Sequence, residues 1–449
     1  MGNPKAFLSV PRQEAGHRPI HERIADFGEV EQTLNESDRK LQASRCMDCG
    51  VPFCHWACPL GNKQPEWQDA IYKGNWELAY KLLAATNDFP EFTGRICPAL
   101  CEKSCTLSHC IDAPVTIREN ECAIIEKAFN EGYVRPQSYP RNGKKVAVIG
   151  AGPAGLSAAV QLNKRGYDVT VIDKMQAAGG LVRYGIPNFK LHKVIIDRRI
   201  DILQQEGIKF VFNTVVDPTA LPKGYDAYVM ATGTPTARDL KIPGRELKGV
   251  YFALQLLTQQ NQRLDGMEFK KDQIVSAKGK KVLVIGGGDT GSDCIGTCNR
   301  HGALSVTQIE IMPKPPEGHN PATPWPAWPI VLKTTTSHEE GCERRWCLTS
   351  NKFIGDDKGN LKGVEVEEVE WLPAPEGGRP TMQPTGNKEI IECDMVLLAM
   401  GFIKPEHPKF ADNVFLAGDA KSGASLVVRA LASGREVAVA VDNYLKGHE

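Results

Sequence analysis

The stretch KVAVIGAGPAGLSAAVQLNKRG (residues 145–166) decides the fold. An apolar β-run opens directly into a turn bearing Gly150, Gly152 and Gly155, and then into a helical pattern. The first glycine makes a turn that a side chain would obstruct. The second lets the backbone approach a pyrophosphate, and the third lets helix and strand pack closely. Phosphates then rest on the free N–H groups and positive end of the helix. The sequel YDVTVID reads as a strand ending in Asp173, placed to accept hydrogen bonds from a ribose hydroxyl. Strand, glycine turn, helix and downstream acid together specify a dinucleotide-binding fold. A glycine turn in a ligand-free α/β domain is the plain alternative.

The same logic recurs at KKVLVIGGGDTGSDCIGTCNRHG (280–302), where Gly286, Gly288, Asp289 and Gly291 are the candidate contacts. The strand VTQIEIM then puts Glu310 in the ribose position. An acid there favours NADH, because it repels the 2′-phosphate of NADPH. Lys314 and Arg300 are cations that can offset this, so NADPH or NADH is expected. Further segments assign FAD to the first site. YVMATGTP (228–235) and VLLAMGF (396–402) are strands ending at small residues, where the chain can cross between domains. The segment from Asn413 gives a strand, then Gly418 and Asp419, then a helix beginning near Ser425. Asp419 is placed to hydrogen-bond a ribityl chain, the alternative being an ordinary turn aspartate. The helix aims its positive end at the flavin pyrimidine, which stabilises the negative charge of a reduced flavin. The C-terminal segment thus returns to the first domain, and the nicotinamide domain is an insertion. The expected architecture is α/β, two Rossmann-like nucleotide-binding domains (FAD and NAD(P)H) preceded by a helical domain.

The 449 residues imply two or three domains. Basic and acidic side chains balance at 54 each, so no whole-chain attraction to nucleic acid or an anionic membrane is expected. No run approaches a membrane span, and MGNPKAFLSV lacks a signal-peptide apolar core. The expected location is cytoplasmic, where thiols stay reduced and clustered cysteines bind metal or do redox work. Nine of the fourteen cysteines lie between Cys46 and Cys122, which marks a separate module.

That module reads as helical, with patterns such as EWQDAIYKGNWELAYKLLAAT (66–86) and a polar linker at 135–145. RCMDCGVPFCHWACPL (45–60) carries Cys46, Cys49, Cys54 and Cys58, and ICPALCEKSC (96–105) carries Cys97, Cys101 and Cys105. Seven thiolates are too many for one tetrahedral zinc. Each [4Fe–4S] cluster takes four ligands, and neighbouring cysteines can serve different clusters. Two clusters need an eighth ligand, for which Cys110, Cys122 and Glu121 are the nearby candidates. Paired structural zinc sites are the alternative by spacing alone. The proline-rich stretch 313–329 reads as an ordered loop, with Trp325 and Trp328 as anchors or part of an interface.

Nearly end to end, these motifs resemble the small (β) subunit of glutamate synthase. The resemblance rests on CMDCGVPFCHWACP, CPALCEKSC, VIGAGPAGLSAA, GGLVRYGIPNFKL, VMATGTP, VIGGGDTGSDC, NPATPWPAWP and AGDAKSGASLVVRALASGRE. The array with two fingerprints also resembles the FAD-containing part of dihydropyrimidine dehydrogenase and related ferredoxin oxidoreductase subunits. It implies two interleaved [4Fe–4S] sets: Cys46, Cys49, Cys54 and Cys105 in one, Cys58, Cys97, Cys101 and Glu121 in the other. It implies that Gly180 and Leu181, in the 179–191 segment, lie over the flavin. It also implies electron flow from NAD(P)H through FAD and the clusters to a glutamate synthase large (alpha) subunit. No side chain is expected to act as a proton-transfer catalyst. The expected domains are 1–140 with both clusters, 141–262 and 399–449 for FAD, and 263–398 for the nicotinamide nucleotide. One departure stands out: only IKPEHPKFAD (403–412) joins AMGF to NVFLAGD, where the family has a longer connection. Three other readings compete. One is a sister subunit serving a pyrimidine reductase or a ferredoxin. Another is a flavin disulfide reductase, against which stands the absence of C-x2-C from the nicotinamide domain. The third is a zinc-stabilised scaffold.

Overall fold

The computed structural model describes residues 3–373, 378 and 380–447. Its two nucleotide modules each centre on a five-stranded parallel sheet. The first runs Val414–Leu416, Ala227–Met230, Lys145–Ile149, Asp168–Ile172, Lys209–Val211 in spatial order. The second runs Val250–Phe252, Met395–Leu398, Lys281–Ile285, Ser305–Ile309, Glu343–Arg345. Residues 146–149 and 282–285 are buried throughout, as sheets covered on both faces require. The C-terminal strand and the helix Val427–Lys446 do return to the first module. An antiparallel pair, Thr236–Ala237 with Phe402–Ile403, ties together the two points where the chain crosses between modules.

One expected boundary moves. Residue 262 falls inside the helix Ala253–Leu264, and the preceding strand Val250–Phe252 already belongs to the second sheet. A three-residue strand is too short to announce itself in sequence, whereas its hydrogen bonding to Val396–Leu398 is unambiguous. The second module also carries an antiparallel sheet of Leu348–Gly355, Leu361–Leu372 and Thr381–Glu392.

The N-terminal module is built from helices, including Glu36–Ser44, Gln64–Tyr72, Trp76–Ala84, Pro90–Ile96 and Ile117–Asn130. Asn35 and Asn75 cap two of them, each side chain accepting a backbone N–H of the first turn. Trp67, Ile71, Leu83, Leu107 and Ile117 form its core.

Charged groups fasten this module to the first nucleotide module. The Asp88 carboxylate is wholly buried and accepts from Ser157 Oγ (3.1 Å), Gln161 Nε2 (2.8 Å), Lys164 Nζ (3.2 Å) and Arg435 Nη1 (2.9 Å). Glu91, equally buried, pairs with Arg199 at 2.5 Å. Buried charge is tolerated when it is paired and hydrogen-bonded in this way.

A second knot joins all three parts. Arg23 donates to Glu340 at 2.8 Å and to the carbonyl of Thr336 at 2.9 Å. Glu340 also takes Arg300 at 2.6 Å, and that guanidinium lies 3.7 Å from the Phe189 ring centroid. From the nicotinamide module, the proline-rich loop reaches back to the N-terminal module. Trp325 packs against Phe53 (4.5 Å between centroids) and stacks on His109 (4.7 Å), while Ser104 Oγ donates to Pro326 O at 2.9 Å.

Candidate functional site

The seven array cysteines separate into two groups. Cys46, Cys49, Cys54 and Cys105 line one cavity together with Met47, Phe53, Gln64, Gln68, Leu107 and Ile117. Cys46 follows the end of helix Glu36–Ser44, and its neighbour Arg45 is locked by donating to the carbonyls of Val10, Ala113 and Pro114. Cys54 rides on the short helix Phe53–Ala57, and Cys105 caps Thr106–Ile111. Burial pushes the Cys46 thiol up to about 12, with the neighbouring Cys105 and Cys49 adding to the rise. All fourteen cysteines are free, so none is spent on a disulfide. A thiol so reluctant to ionise in an apolar cavity would serve as a thiolate ligand if iron supplied the opposing charge.

Cys58, Cys97, Cys101 and Glu121 form the second group. Cys58 and Cys97 each stand at the C-terminal end of a short helix, and Cys101 lies on Leu100–Lys103. Glu121, on helix Ile117–Asn130, is 6% exposed. Its carboxylate accepts from Thr93 Oγ1 and, at 3.1 Å, from Asn87 Nδ2. Burial raises its pKa to about 7. Its charge reaches Cys58, Cys97 and Cys101, adding to the upward push that burial gives all three thiols. The charged neighbours of Cys122 are instead Arg95, Glu126, Glu31 and Glu29, and its backbone is pressed against Gly94. Cys110 is exposed and stands outside both groups. Among the described residues, no three His, Cys, Asp or Glu side chains converge as ligands of a single ion. Four thiols spread around a cavity suit a cluster several atoms across, so the first group fits a [4Fe–4S] cluster better than zinc.

Two thiols of the second group differ from the rest in what they pack against. Cys58 and Cys97 pack against an apolar core that runs from Leu60, Phe89 and Phe92 of the helical module into Ala154, Leu156 and Leu431 of the first nucleotide module. Cys46, Cys54, Cys101 and Cys105 belong to the core of the helical module.

The first glycine loop has the geometry a pyrophosphate needs. Gly150 has φ +109°, and a side chain there would strike the Ala231 carbonyl. A Cβ on Gly155 would overlap the Gly150 carbonyl. Gly152 caps the helix Pro153–Lys164 and faces Gly180, whose φ is +52°. Asp173 accepts the Ala151 N–H at 2.6 Å and the Met175 N–H at 2.7 Å, so it holds the loop. Leu181 is 41% exposed beside this loop. Gly418 approaches Ala154 from the C-terminal segment, and Asp419 accepts from Ser425 Oγ at 2.7 Å. Burial raises the pKa of Asp419. The long helix begins at Val427, two residues past Ser425.

The second loop repeats the arrangement. Gly286 has φ +120°, the space around Gly288 is open, and Gly291 packs against the Gly286 carbonyl. Asp289 opens the helix Asp289–Arg300. Glu310 accepts the Gly287 N–H at 2.6 Å and the Met312 N–H at 3.0 Å. Arg300 does not offset this acid, because it is buried against Glu340 and Phe189. Lys314 pairs with Glu317 at 2.8 Å. Sequence reasoning missed Arg344, on the strand beside Ser305–Ile309, whose guanidinium lies 5.2 Å from the Trp346 ring centroid. Among the described residues it forms no salt bridge with a carboxylate. No spacing in the sequence flags it, since its place depends on pairing between strands 36 residues apart.

Residues 23–133 match the family model for dihydropyrimidine dehydrogenase domain II, 4Fe-4S cluster, and residues 144–434 that for pyridine nucleotide-disulphide oxidoreductase. The glutamate synthase [NADPH] small chain of Mycobacterium tuberculosis (strain ATCC 25618 / H37Rv) is 44% identical, covering 100% of this chain and 97% of that one. The glutamate synthase [NADH] of Saccharomyces cerevisiae is 41% identical over 98% of this chain, which spans 22% of that protein. Among solved structures, Mycobacterium tuberculosis FprA in complex with NADPH shares the fold. Its TM-score is 0.53 and its identity 16%, over 70% of this chain and 85% of that one. No described helix is long and apolar enough to cross a membrane. By full-length identity to such relatives, and by both matched modules, this chain belongs to the glutamate synthase small-chain family.

Proposed function

We propose that the chain is the electron-input subunit of glutamate synthase. It oxidises NADPH or NADH with FAD and passes electrons through two [4Fe–4S] clusters to a large (alpha) subunit. That subunit makes glutamate from glutamine and 2-oxoglutarate. The observation that carries this reading is that Cys58 and Cys97 pack against an apolar core shared by the helical module and the first nucleotide module. This supports a cluster site close to the flavin site.

In this reading Gly150, Gly152, Gly155, Asp173, Gly180, Leu181, Gly418, Asp419 and Ser425 hold FAD. Gly286, Gly288, Asp289, Gly291 and Glu310 hold the nicotinamide nucleotide. Cys46, Cys49, Cys54 and Cys105 hold one cluster, and Cys58, Cys97, Cys101 and Glu121 the other. When bound, the flavin takes hydride from the nicotinamide and the clusters relay its electrons singly. The chain orients these groups, excludes water and supplies fixed charge. The helix beginning at Val427 turns its positive end toward the flavin site, favouring negative charge there. The second cysteine group, two of whose thiols pack on the core shared with the flavin module, would hold the cluster nearer the flavin. The work is done in the cytoplasm, with neither nucleic acid nor membrane as partner.

The yeast relative supports a large partner, because the region homologous to this chain is one part of a longer polypeptide there. The helical module also matches a dihydropyrimidine dehydrogenase family model, so the same input unit can serve another acceptor, such as a pyrimidine reductase or a ferredoxin. Mixing the purified chain with a glutamate synthase large subunit separates these. The expected result is NAD(P)H-dependent glutamate formation, and its absence alongside intact dye reduction would favour another acceptor. Anaerobic purification should yield FAD and about eight irons with acid-labile sulfide. Zinc in their place would sink the reading. Glu121→Ala should lower the iron count while Cys122→Ala leaves it unchanged. The reverse would transfer the eighth ligand to Cys122. Glu310→Gln should raise the NADPH/NADH ratio of kcat/KM by about tenfold, the equivalent of ~1.4 kcal/mol.

A further inference from the structure

Three buried amide atoms on one helix lack a hydrogen-bond partner among the described residues: Nε2 and Oε1 of Gln64, and Nε2 of Gln68. Each residue is 1% exposed. They stand four positions apart on Gln64–Tyr72, hence on one face, and both line the cavity walled by Cys46, Cys49, Cys54 and Cys105. Gln68 is held in place from behind. Its Oε1 accepts from Asn120 Nδ2 at 2.7 Å, and Asn120 is itself bonded to Arg39 at 3.0 Å. That anchor leaves the Gln68 NH2 without an acceptor. Gln64, unpartnered at both ends, is free to turn its NH2 edge inward.

The rest of the cavity wall offers these donors little. Met47, Pro52, Phe53, Pro65, Leu107, Val115 and Ile117 are apolar, and the thiols are the acceptors that remain, beside Thr106. A buried donor left unpaired costs about 1–3 kcal/mol, and native interiors rarely keep one without an unseen partner. Trp67 on the same helix also has an unpaired N–H, but it does not line the cavity. The two glutamines are therefore singled out by where they stand.

We propose that Gln64 and Gln68 donate N–H···S hydrogen bonds to the sulfurs of the cluster held by Cys46, Cys49, Cys54 and Cys105, and so raise its reduction potential. The inference rests on the cluster reading above. An added electron increases negative charge on the sulfurs, and donors aimed at them stabilise that charge. Loss of the donors makes the cluster harder to reduce. The two amides thus make this cluster a better receiver of electrons from the flavin side.

The test begins with iron and sulfide content of the anaerobic holoprotein. Gln64→Met and Gln68→Met keep volume and delete the donors. An EPR-monitored redox titration should then show the first cluster moving to a more negative midpoint in each variant. The double variant should move further, and the second cluster's signal should stay in place. A measurement on the unsubstituted protein covers variants that fail to load iron. With ¹⁵N only in glutamine side chains, ENDOR of the reduced first cluster should show a ¹⁵N coupling. An unchanged midpoint in a fully loaded double variant, or no glutamine coupling, overturns the proposal. Absence of iron from the unsubstituted protein overturns the cluster reading itself.

Discussion

The two cysteine groups lie within one small module yet are built on opposite terms. The first is enclosed by the module's own core, with two unpaired amides in its wall and a tryptophan from a remote loop packed on Phe53. The second is completed by a carboxylate whose hydrogen-bond donors, Thr93 and Asn87, are already in place, and it leans on the neighbouring module. The difference teaches that sequence adjacency does not assign a ligand to a site. Cys54 and Cys58 are four residues apart but face different cores, because the short helix between them turns the chain and ends at Cys58.

The largest test breaks one group at a time. Cys105→Ser and Cys97→Ser should each remove about four irons. In both, the flavin should still be reduced by NAD(P)H. Residual electron delivery to the iron centre should survive only in Cys105→Ser, which spares the group beside the flavin. Equal loss of delivery in both would erase the distinction.

Next comes the seat of the second group. Asp88→Ala leaves Lys164 and Arg435 without their buried partner, which should cost about 3 kcal/mol in denaturant unfolding. Transfer from flavin to the second cluster should slow, while the first cluster's spectrum stays unchanged. A smaller effect sharpens the contrast from the other side. Trp325→Ala removes the aromatic roof over Phe53 and His109. Chelator-driven iron release from the first group should accelerate by about tenfold, equivalent to ~1.4 kcal/mol, with the second group unaffected.

Acid should part the groups more gently. The roof belongs to a module holding His301 and His338, both depressed to about 4, with burial as the first cause. In each, Nδ1 accepts a backbone N–H, from Ala277 and Thr335 respectively, so a proton there meets a donor. The unfolded chain takes up that proton below its ordinary value of 6.5. The stabilisation is therefore full above about pH 6.5 and is lost as pH falls toward about 4, at up to ~1.4 kcal/mol per pH unit for each histidine. Hydrogen exchange at pH 7 and pH 5 should show residues 320–330 loosening while residues 88–97 stay protected. Equal loosening of both would place the acid sensitivity elsewhere.

Much of this was legible in the residues. The glycine spacings, Asp173, Glu310 and the Gly418–Asp419 turn act over a few positions, so the backbone rules that require them can be read directly. The cysteines announced a module for the same reason. What stayed hidden depends on tertiary packing. KQPEWQDAIY reads as a helix with an ordinary polar face, yet Gln64 and Gln68 are buried. Asp88 looks like a loop residue and is instead the hub of four hydrogen bonds. Arg300 sits at a plausible distance from Glu310 in sequence, but the helix turns it toward Glu340. Strand pairing and buried charge are properties of segments brought together from afar, and no local pattern records them.

Ser104 meets the carbonyl of Pro326 across 222 residues of chain. At ordinary translation speeds of about 5–20 residues per second, that separation is a delay of roughly 11–44 s. The cysteine module therefore leaves the ribosome well before its cover has been made. Phe53 and His109 are without Trp325 during that interval. The order in which these contacts can form is thus set by the linear arrangement of the chain itself. A permuted chain with the nicotinamide module ahead of the cysteines would reverse that order of synthesis.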